Sequence, residues 1–81
     1  MDIRKNIAVS ENGFIFNPLT GDSFSVNQTG VFILRKMKEG DSNEDIMKAL
    51  QEEYELDTHT AEKDLYDFLS LLKSYQLTEN E

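Results

Sequence analysis

The sequence contains no cysteine and no tryptophan, and only one histidine and one proline among its 81 residues. Without cysteine there are no disulfide bonds and no thiolate metal ligands, so the fold depends on noncovalent packing. No segment contains the roughly 18 to 20 consecutive apolar residues that a membrane-spanning helix requires. The N-terminal segment MDIRKNIAVSENG has no apolar run long enough for a signal peptide. We therefore expect a cytoplasmic protein that does not bind membranes.

Basic residues are also scarce, with eight against 16 acidic residues and a net charge of −8. Residues 1–38 contain five basic and three acidic residues, whereas residues 39–81 contain three basic and 13 acidic residues. The acidic second half repels the phosphate backbone of nucleic acids, so a nucleic-acid partner is not expected. The acidic residues either form solvated helix faces that keep the protein soluble, or they attract a basic partner.

Groups that could catalyse a reaction or bind a metal are few. The single histidine, His59, lies at the start of a predicted helix, which is typical of a surface residue. The histidine and the acidic residues do not form a cluster with the spacing of metal ligands. The segment GDSNED, residues 40–45, has one glycine and is acidic, which does not suit a phosphate-binding loop. The sequence therefore predicts a protein that is not an enzyme and has no cofactor and no metal.

The first part of the chain has the pattern of a small antiparallel sheet within a single domain covering residues 1–81. Apolar residues alternate with period two over the first segment, where only Lys5 breaks the pattern. The segments ENG and PLTG are turn signals that separate the strands. Phe14 and Phe16 are expected on one face of the second strand. The predicted strands cover residues 3–9, 14–17 and 22–26.

The second part of the chain predicts three helices with recognisable ends. Asn27, Ser42 and either Asp57 or Thr58 are the expected N-cap residues. Gly30 has weak helix propensity, which predicts close packing of the first helical turn against another element. The predicted helices cover residues 28–39, 43–55 and 58–75. The expected fold is α+β, a three-stranded antiparallel meander followed by three helices, which is winged-helix-like except that the sheet comes first.

Two features suggest recognition of a partner. In the third strand, Ser23 and Ser25 alternate with Phe24 and Val26, and an open sheet edge there could accept an extended peptide as a further strand. Alternatively, the polar edge only prevents aggregation. In the third helix, a flank beside the core stripe could line a groove or be additional core. The residues of this flank are Asp64, Asp67, Leu71 and Tyr75.

The ordered set of motifs resembles a known family. Residues 14–42, FIFNPLTGDSFSVNQTGVFILRKMKEGDS, and residues 61–77, AEKDLYDFLSLLKSYQL, carry the resemblance. They are similar to the PqqD family, the coenzyme PQQ synthesis protein D type, also called the RiPP recognition element. The matching positions are Pro18, Gly21, Val26, Asn27, Thr29, Gly30, Gly40, Ser42, Asp64, Phe68, Leu69 and Leu72. The likeness extends over about residues 3–77.

This resemblance implies a non-catalytic peptide chaperone of natural product biosynthesis. Such a protein binds the leader of a ribosomally made precursor peptide and presents it to a modifying enzyme, often a radical SAM protein. The leader adds as a strand to the third strand, in a groove against the third helix. Carried over to this sequence, the peptide-binding residues are Asp22, Ser23, Phe24, Ser25, Val26, Asp64, Asp67, Phe68, Leu71 and Tyr75.

Two other functions remain open at this point. One is a winged-helix DNA-binding regulator, which is disfavoured because the third helix carries Glu62, Asp64 and Asp67. The other is a structural or dimerising adaptor, in which the same strand edge pairs with its own copy to form a homodimer.

Overall fold

The computed structural model describes residues 3–78. In this range three strands precede three helices, and the strands form one antiparallel sheet in the order β1-β2-β3. The elements are β1 (Ala8–Val9), β2 (Phe14–Asn17), β3 (Asp22–Ser25), α1 (Gln28–Lys38), α2 (Asn43–Tyr54) and α3 (Thr58–Ser74). This arrangement confirms the predicted α+β fold. Within the same range, none of the helices is long and apolar enough to cross a membrane.

The first strand is shorter than the alternating pattern predicts, because only Ala8 and Val9 pair with β2. Ile3 and Ile7 are buried, as the pattern requires. Ile3, however, pairs in an isolated bridge with Thr78, beyond the end of α3. The alternating pattern thus predicted correctly that Ile3 and Ile7 are buried. It carried no information about which segment the backbone pairs with, and here that partner is the other end of the chain.

The second strand turns its phenylalanines away from the core. Phe14 and Phe16 share a face, as expected, but they are 56% and 45% exposed, whereas Ile15 is fully buried. Asn17 is buried on the same side as Ile15, and its side-chain oxygen accepts a hydrogen bond from the backbone N–H of Leu19 at 3.0 Å. Its backbone carbonyl accepts from the N–H of Gly21 at 2.8 Å. The buried amide therefore holds the turn between β2 and β3.

The three helices begin at caps that the sequence predicted. Asn27, Ser42 and Asp57 accept hydrogen bonds from the backbone N–H three residues later, at 2.9, 3.1 and 2.7 Å. These bonds satisfy donors that the first helical turn leaves without a partner. The helices bury apolar stripes against the inner face of the sheet. The best-buried large side chains of the core are Ile7, Ile15, Ile33, Leu34, Ile46, Leu50, Leu65, Leu72 and Leu77.

Gly13 fixes the end of the sheet nearest to α1. Its φ of 92° lies in the region that favours glycine, and a Cβ there would clash with the carbonyl oxygen of Val26. The carbonyl of Gly13 accepts a hydrogen bond from the backbone N–H of Val26 at 2.7 Å. The chain leaving β3 is therefore held against a position that only glycine accommodates.

Replacing Gly13 should destabilise the fold more than replacing Gly21, which has a similar φ of 80° but no neighbouring atom within 4 Å of the point where a Cβ would lie. We expect Gly21→Ala to cost about 1 to 2 kcal/mol from backbone strain alone. Gly13→Ala should lose about 1 to 3 kcal/mol more from overpacking against Val26. Urea unfolding followed by far-UV circular dichroism compares the two variants. Equal losses would contradict the role given to the Val26 contact.

Candidate functional site

The strand β3 lies at an edge of the sheet, since its strand partner among residues 3–78 is β2 alone. In an antiparallel pair, residues that exchange hydrogen bonds alternate with residues that do not. Val26 donates to the carbonyl of Gly13, so these two residues form a hydrogen-bonded pair. Phe24 and Ile15 lie two residues further along the register, so they form the next hydrogen-bonded pair. The backbone N–H and C=O groups of Phe24 therefore face β2. Those of Ser23 and Ser25 face the open edge, where an extended peptide could bond to them.

The C-terminal half of α3 lies against the inner side of β3. The ring of Phe24 stacks on the ring of Tyr75, with centroids 4.1 Å apart and planes 9° from parallel. Phe24 is half-buried, and Tyr75 remains 37% exposed. This stack connects the middle of the edge strand to the end of the helix.

Gly30 allows the first turn of α1 to approach both β3 and α3. A Cβ at Gly30 would lie 2.9 Å from Cε1 of Phe68 and 3.0 Å from Cβ of Val26. Both distances are too short for a comfortable contact, so the absence of a side chain lets the three elements meet. The prediction that Gly30 marks close packing is confirmed.

A groove of about 390 Å³ opens between the first turn of α1 and one flank of α3. One wall comes from α3 and includes the apolar side chains of Phe68 and Leu71, of which Leu71 is 38% exposed. The other wall comes from the segment that follows β3. The full set of lining residues is Asn27, Thr29, Gly30, Ile33, Asp64, Asp67, Phe68 and Leu71. The groove is thus a partly apolar surface beside the end of the edge strand.

The charged groups that line the groove are carboxylates. Asp67 accepts a hydrogen bond from Nζ of Lys63 at 2.8 Å, and the bond to Asp67 raises the pKa of the Lys63 ammonium. Both side chains of this pair are 66% exposed, so the ion pair is weak. Asp64 is half-buried on the same flank. The site therefore has a local negative potential that favours cationic or N–H-rich ligands.

The start of α3 is fixed by its cap. The pKa of Asp57 is lowered because its carboxylate accepts a hydrogen bond from the backbone N–H of Thr60. His59 is exposed in the same turn. Residues 3–78 contain no group of three or more histidine and acidic side chains that could hold a metal ion.

The structure places four of the ten predicted site residues in the groove. Asp64, Asp67, Phe68 and Leu71 line the groove. The other six do not line it: Val26 lies against Gly30, Phe24 and Tyr75 form the stack, Ser23 and Ser25 lie on the open edge, and Asp22 is at the far end of β3, paired with Asn17.

Sequence reasoning missed part of the opposite wall. The sequence predicts Asn27 as a helix cap and Gly30 as a point of close packing, and it assigns no site role to Thr29 or Ile33, yet all four line the groove. The small residue at Gly30 was the available signal, because it predicted that another element approaches this turn.

Comparison with known proteins identifies the class. The family described as Coenzyme PQQ synthesis protein D (PqqD) matches residues 12–77. The chain therefore belongs to the PqqD family. The curated proteins contain no significant match to the chain.

Two solved structures share the fold over nearly the whole chain. TbiB1 in complex with the TbiA(beta) leader peptide has a TM-score of 0.88 and 31% sequence identity, covering 100% of this chain and 98% of that chain. Lasso peptide synthetase B1 complexed with the leader peptide has a TM-score of 0.78 and 26% identity, covering 90% of this chain and 89% of that chain.

The Phe24–Tyr75 stack should be measurable as a coupling energy. In a double-mutant cycle with Phe24→Ala and Tyr75→Ala, we expect the two losses of unfolding free energy to be non-additive by about 1 kcal/mol. Tyr66→Ala is the control, because Tyr66 is a half-exposed aromatic residue on the same helix that does not stack on Phe24. Additive losses for the Phe24 and Tyr75 variants would show that the stack contributes nothing to the attachment of α3.

Proposed function

We propose that this chain is a non-catalytic peptide-binding protein that holds the leader of a ribosomally made precursor peptide and presents the peptide to a modifying enzyme. The observation that carries the proposal is the open edge of β3 beside the groove on α3. Membership of the PqqD family supports it, as do two similar solved proteins, both complexed with leader peptides.

The main-chain groups of Ser23 and Ser25 would supply the first set of contacts. Each offers one N–H and one C=O to an added strand, and each resulting hydrogen bond would contribute about 0.5 to 1.5 kcal/mol net. Such bonds do not depend on the peptide's side chains, so they supply affinity without much selectivity.

Selectivity would come from alternate side chains of the added strand. Those on the inner side of the sheet point toward α3, where Phe68, Leu71 and Tyr75 would contact apolar groups. Asp64 and Asp67 would favour a basic residue or free N–H groups nearby. Because Asp67 is well exposed and bound to Lys63, its contribution should be modest.

The charge of α3 argues against a DNA-binding role. Glu62, Asp64 and Asp67 occupy the helix that would have to enter a groove of the duplex, and phosphate contact there is repulsive.

The enzyme that receives the peptide belongs to a separate chain, for example a radical SAM protein. In this scheme the present chain binds the peptide, and the partner enzyme modifies it.

An amide NMR titration tests the proposal. The isotopically labelled chain is titrated with leader segments of short precursor peptides encoded beside its gene, and with the TbiA(beta) leader as a second probe. We expect shifts concentrated in residues 22–26 and 64–75. Saturable binding with shifts elsewhere would contradict the assigned site, and the absence of binding to every probe would contradict the proposed function.

A charge placed on the groove wall should weaken binding. Leu71→Asp puts a carboxylate where an apolar peptide side chain would contact α3, and Leu71 is exposed enough for the variant to fold. Ser70→Asp is the matched control, since it adds the same charge about 100° around the helix axis. We expect Leu71→Asp to raise the peptide Kd about ten-fold or more and Ser70→Asp to change it about two-fold at most, by isothermal titration calorimetry.

Equal affinities for the two variants, with both folded by circular dichroism, would mean that the groove does not receive the peptide.

A further inference from the structure

The chain that leaves α3 turns sharply directly after Tyr75. Tyr75 is the C-cap of the helix, and its ring is the one that stacks on Phe24. The next residue, Gln76, has a φ of 60°, in the left-handed region that few residues with a side chain adopt. Leu77 is then fully buried, so the turn directs the chain back into the core. A turn of this kind persists only where its surroundings hold it.

Arg4, near the other end of the chain, holds this turn. Its backbone N–H donates to the carbonyl of Leu77 at 2.8 Å, and its Nε donates to the carbonyl of Gln76 at 2.9 Å. The preceding residue, Ile3, forms the bridge with Thr78. The bond from the guanidinium is charge-assisted, and a cation is favourable beside the C-terminus of a helix. Two consecutive carbonyls after the helix are therefore bound by one residue.

These bonds affect the candidate site because Tyr75 is the last residue before the turn. The backbone N–H of Tyr75 donates to the carbonyl of Leu71 at 3.1 Å, and the carbonyl of the residue after Tyr75 is the one bound by Nε of Arg4. The ends of helices fray where they are not held. Without the bond from Arg4, the ring of Tyr75 would lose its fixed position on Phe24. Arg4 is not among the residues that line the groove, so its effect on the site is indirect.

We propose that Arg4 is a positioning residue of the peptide-binding site and that it acts through Tyr75. This inference rests on the proposed function, in which Tyr75 contacts an apolar side chain of the peptide. The side chain of Arg4 fixes the end of α3, so that the Tyr75 ring already lies on Phe24 before a peptide binds. The peptide then does not have to order this ring, which lowers the cost of binding.

The substitution Arg4→Met tests the side-chain bond. Methionine keeps an unbranched stem but has no donor for the carbonyl of Gln76, and the backbone N–H that bonds Leu77 is unchanged. Lys5→Met is the matched control, because it removes the same charge from the adjacent, exposed residue. The probe is the leader peptide that binds the parent chain in the NMR titration. By isothermal titration calorimetry, we expect Arg4→Met to raise the peptide Kd about three- to ten-fold and Lys5→Met to change it about two-fold at most.

A second background shows whether the effect passes through Tyr75. In a chain that carries Tyr75→Ala, we expect Arg4→Met to change the peptide Kd about two-fold at most, because the ring that Arg4 positions is absent. A residue that only stabilises the fold would instead weaken binding by the same factor in both backgrounds. Arg4→Lys keeps the charge and a donor, so it should restore the Kd to within about two-fold of the parent value.

The peptide-free chain gives an independent measurement. The side-chain protons of Phe24 lie in the ring current of Tyr75, whose centroid is 4.1 Å from that of Phe24. In NMR spectra, we expect Arg4→Met to move the chemical shifts of these protons toward those of the Tyr75→Ala variant. Lys5→Met should leave them in place.

An unchanged Kd in a folded Arg4→Met variant would overturn the inference and leave the proposed function intact. Equal factors in the two Tyr75 backgrounds, or Phe24 shifts that do not move, would show that Arg4 serves only the stability of the fold. If the parent chain binds no leader peptide, the proposed function fails, and the inference fails with it.

Discussion

The register of β3 on β2 is the constraint on which the rest of the structure depends. It is anchored where the N–H of Val26 donates to the carbonyl of Gly13, at a position closed to any residue with a side chain. A slip of one residue would exchange the two faces of the strand. Phe24 would leave the core side, and the backbone groups now open to the edge would turn inward. The candidate site exists only in the observed register.

The short connection between β3 and α1 extends this constraint to the helices. Asn27 ends the strand segment and caps the helix, so no flexible loop separates the edge from the first helical turn. Gly30 then brings that turn against Phe68 of α3. Two walls that are distant in sequence are thereby held at a fixed separation. A groove of this kind needs no conformational change to form, which lowers the entropic cost of ordering a ligand there.

The three-stranded sheet gives the small domain two distinct surfaces. Its inner side is covered by helices and borders the groove at the end of β3, whereas the opposite face presents the uncharged, exposed side chains of Phe14, Phe16, Ser23 and Ser25. The edge backbone lies between them and is continuous with both. In the proposed function the chain acts by holding one molecule in place for another. This geometry is suited to that role because the bound strand would be accessible from the outer side.

Much of the fold follows from local sequence. The caps at Asn27, Ser42 and Asp57 depend on hydrogen bonds to groups three residues away, so their positions and the helix starts were predicted correctly. The sequence also predicts which side chains of β3 share a face and which form the flank of α3, because side-chain direction repeats with the period of each element. These features predict Ser23, Ser25 and Leu71 as candidate site residues.

Only the tertiary structure decided how these elements meet. It paired Ile3 with Thr78 and so left β1 with two residues, it placed Phe14 and Phe16 in solvent, and it stacked Tyr75 on Phe24. It also made Thr29 and Ile33 part of the groove. Each of these outcomes joins segments far apart in the chain. A periodic pattern specifies which side chains of a segment share a face, but the partner of that face is selected by packing of the whole chain.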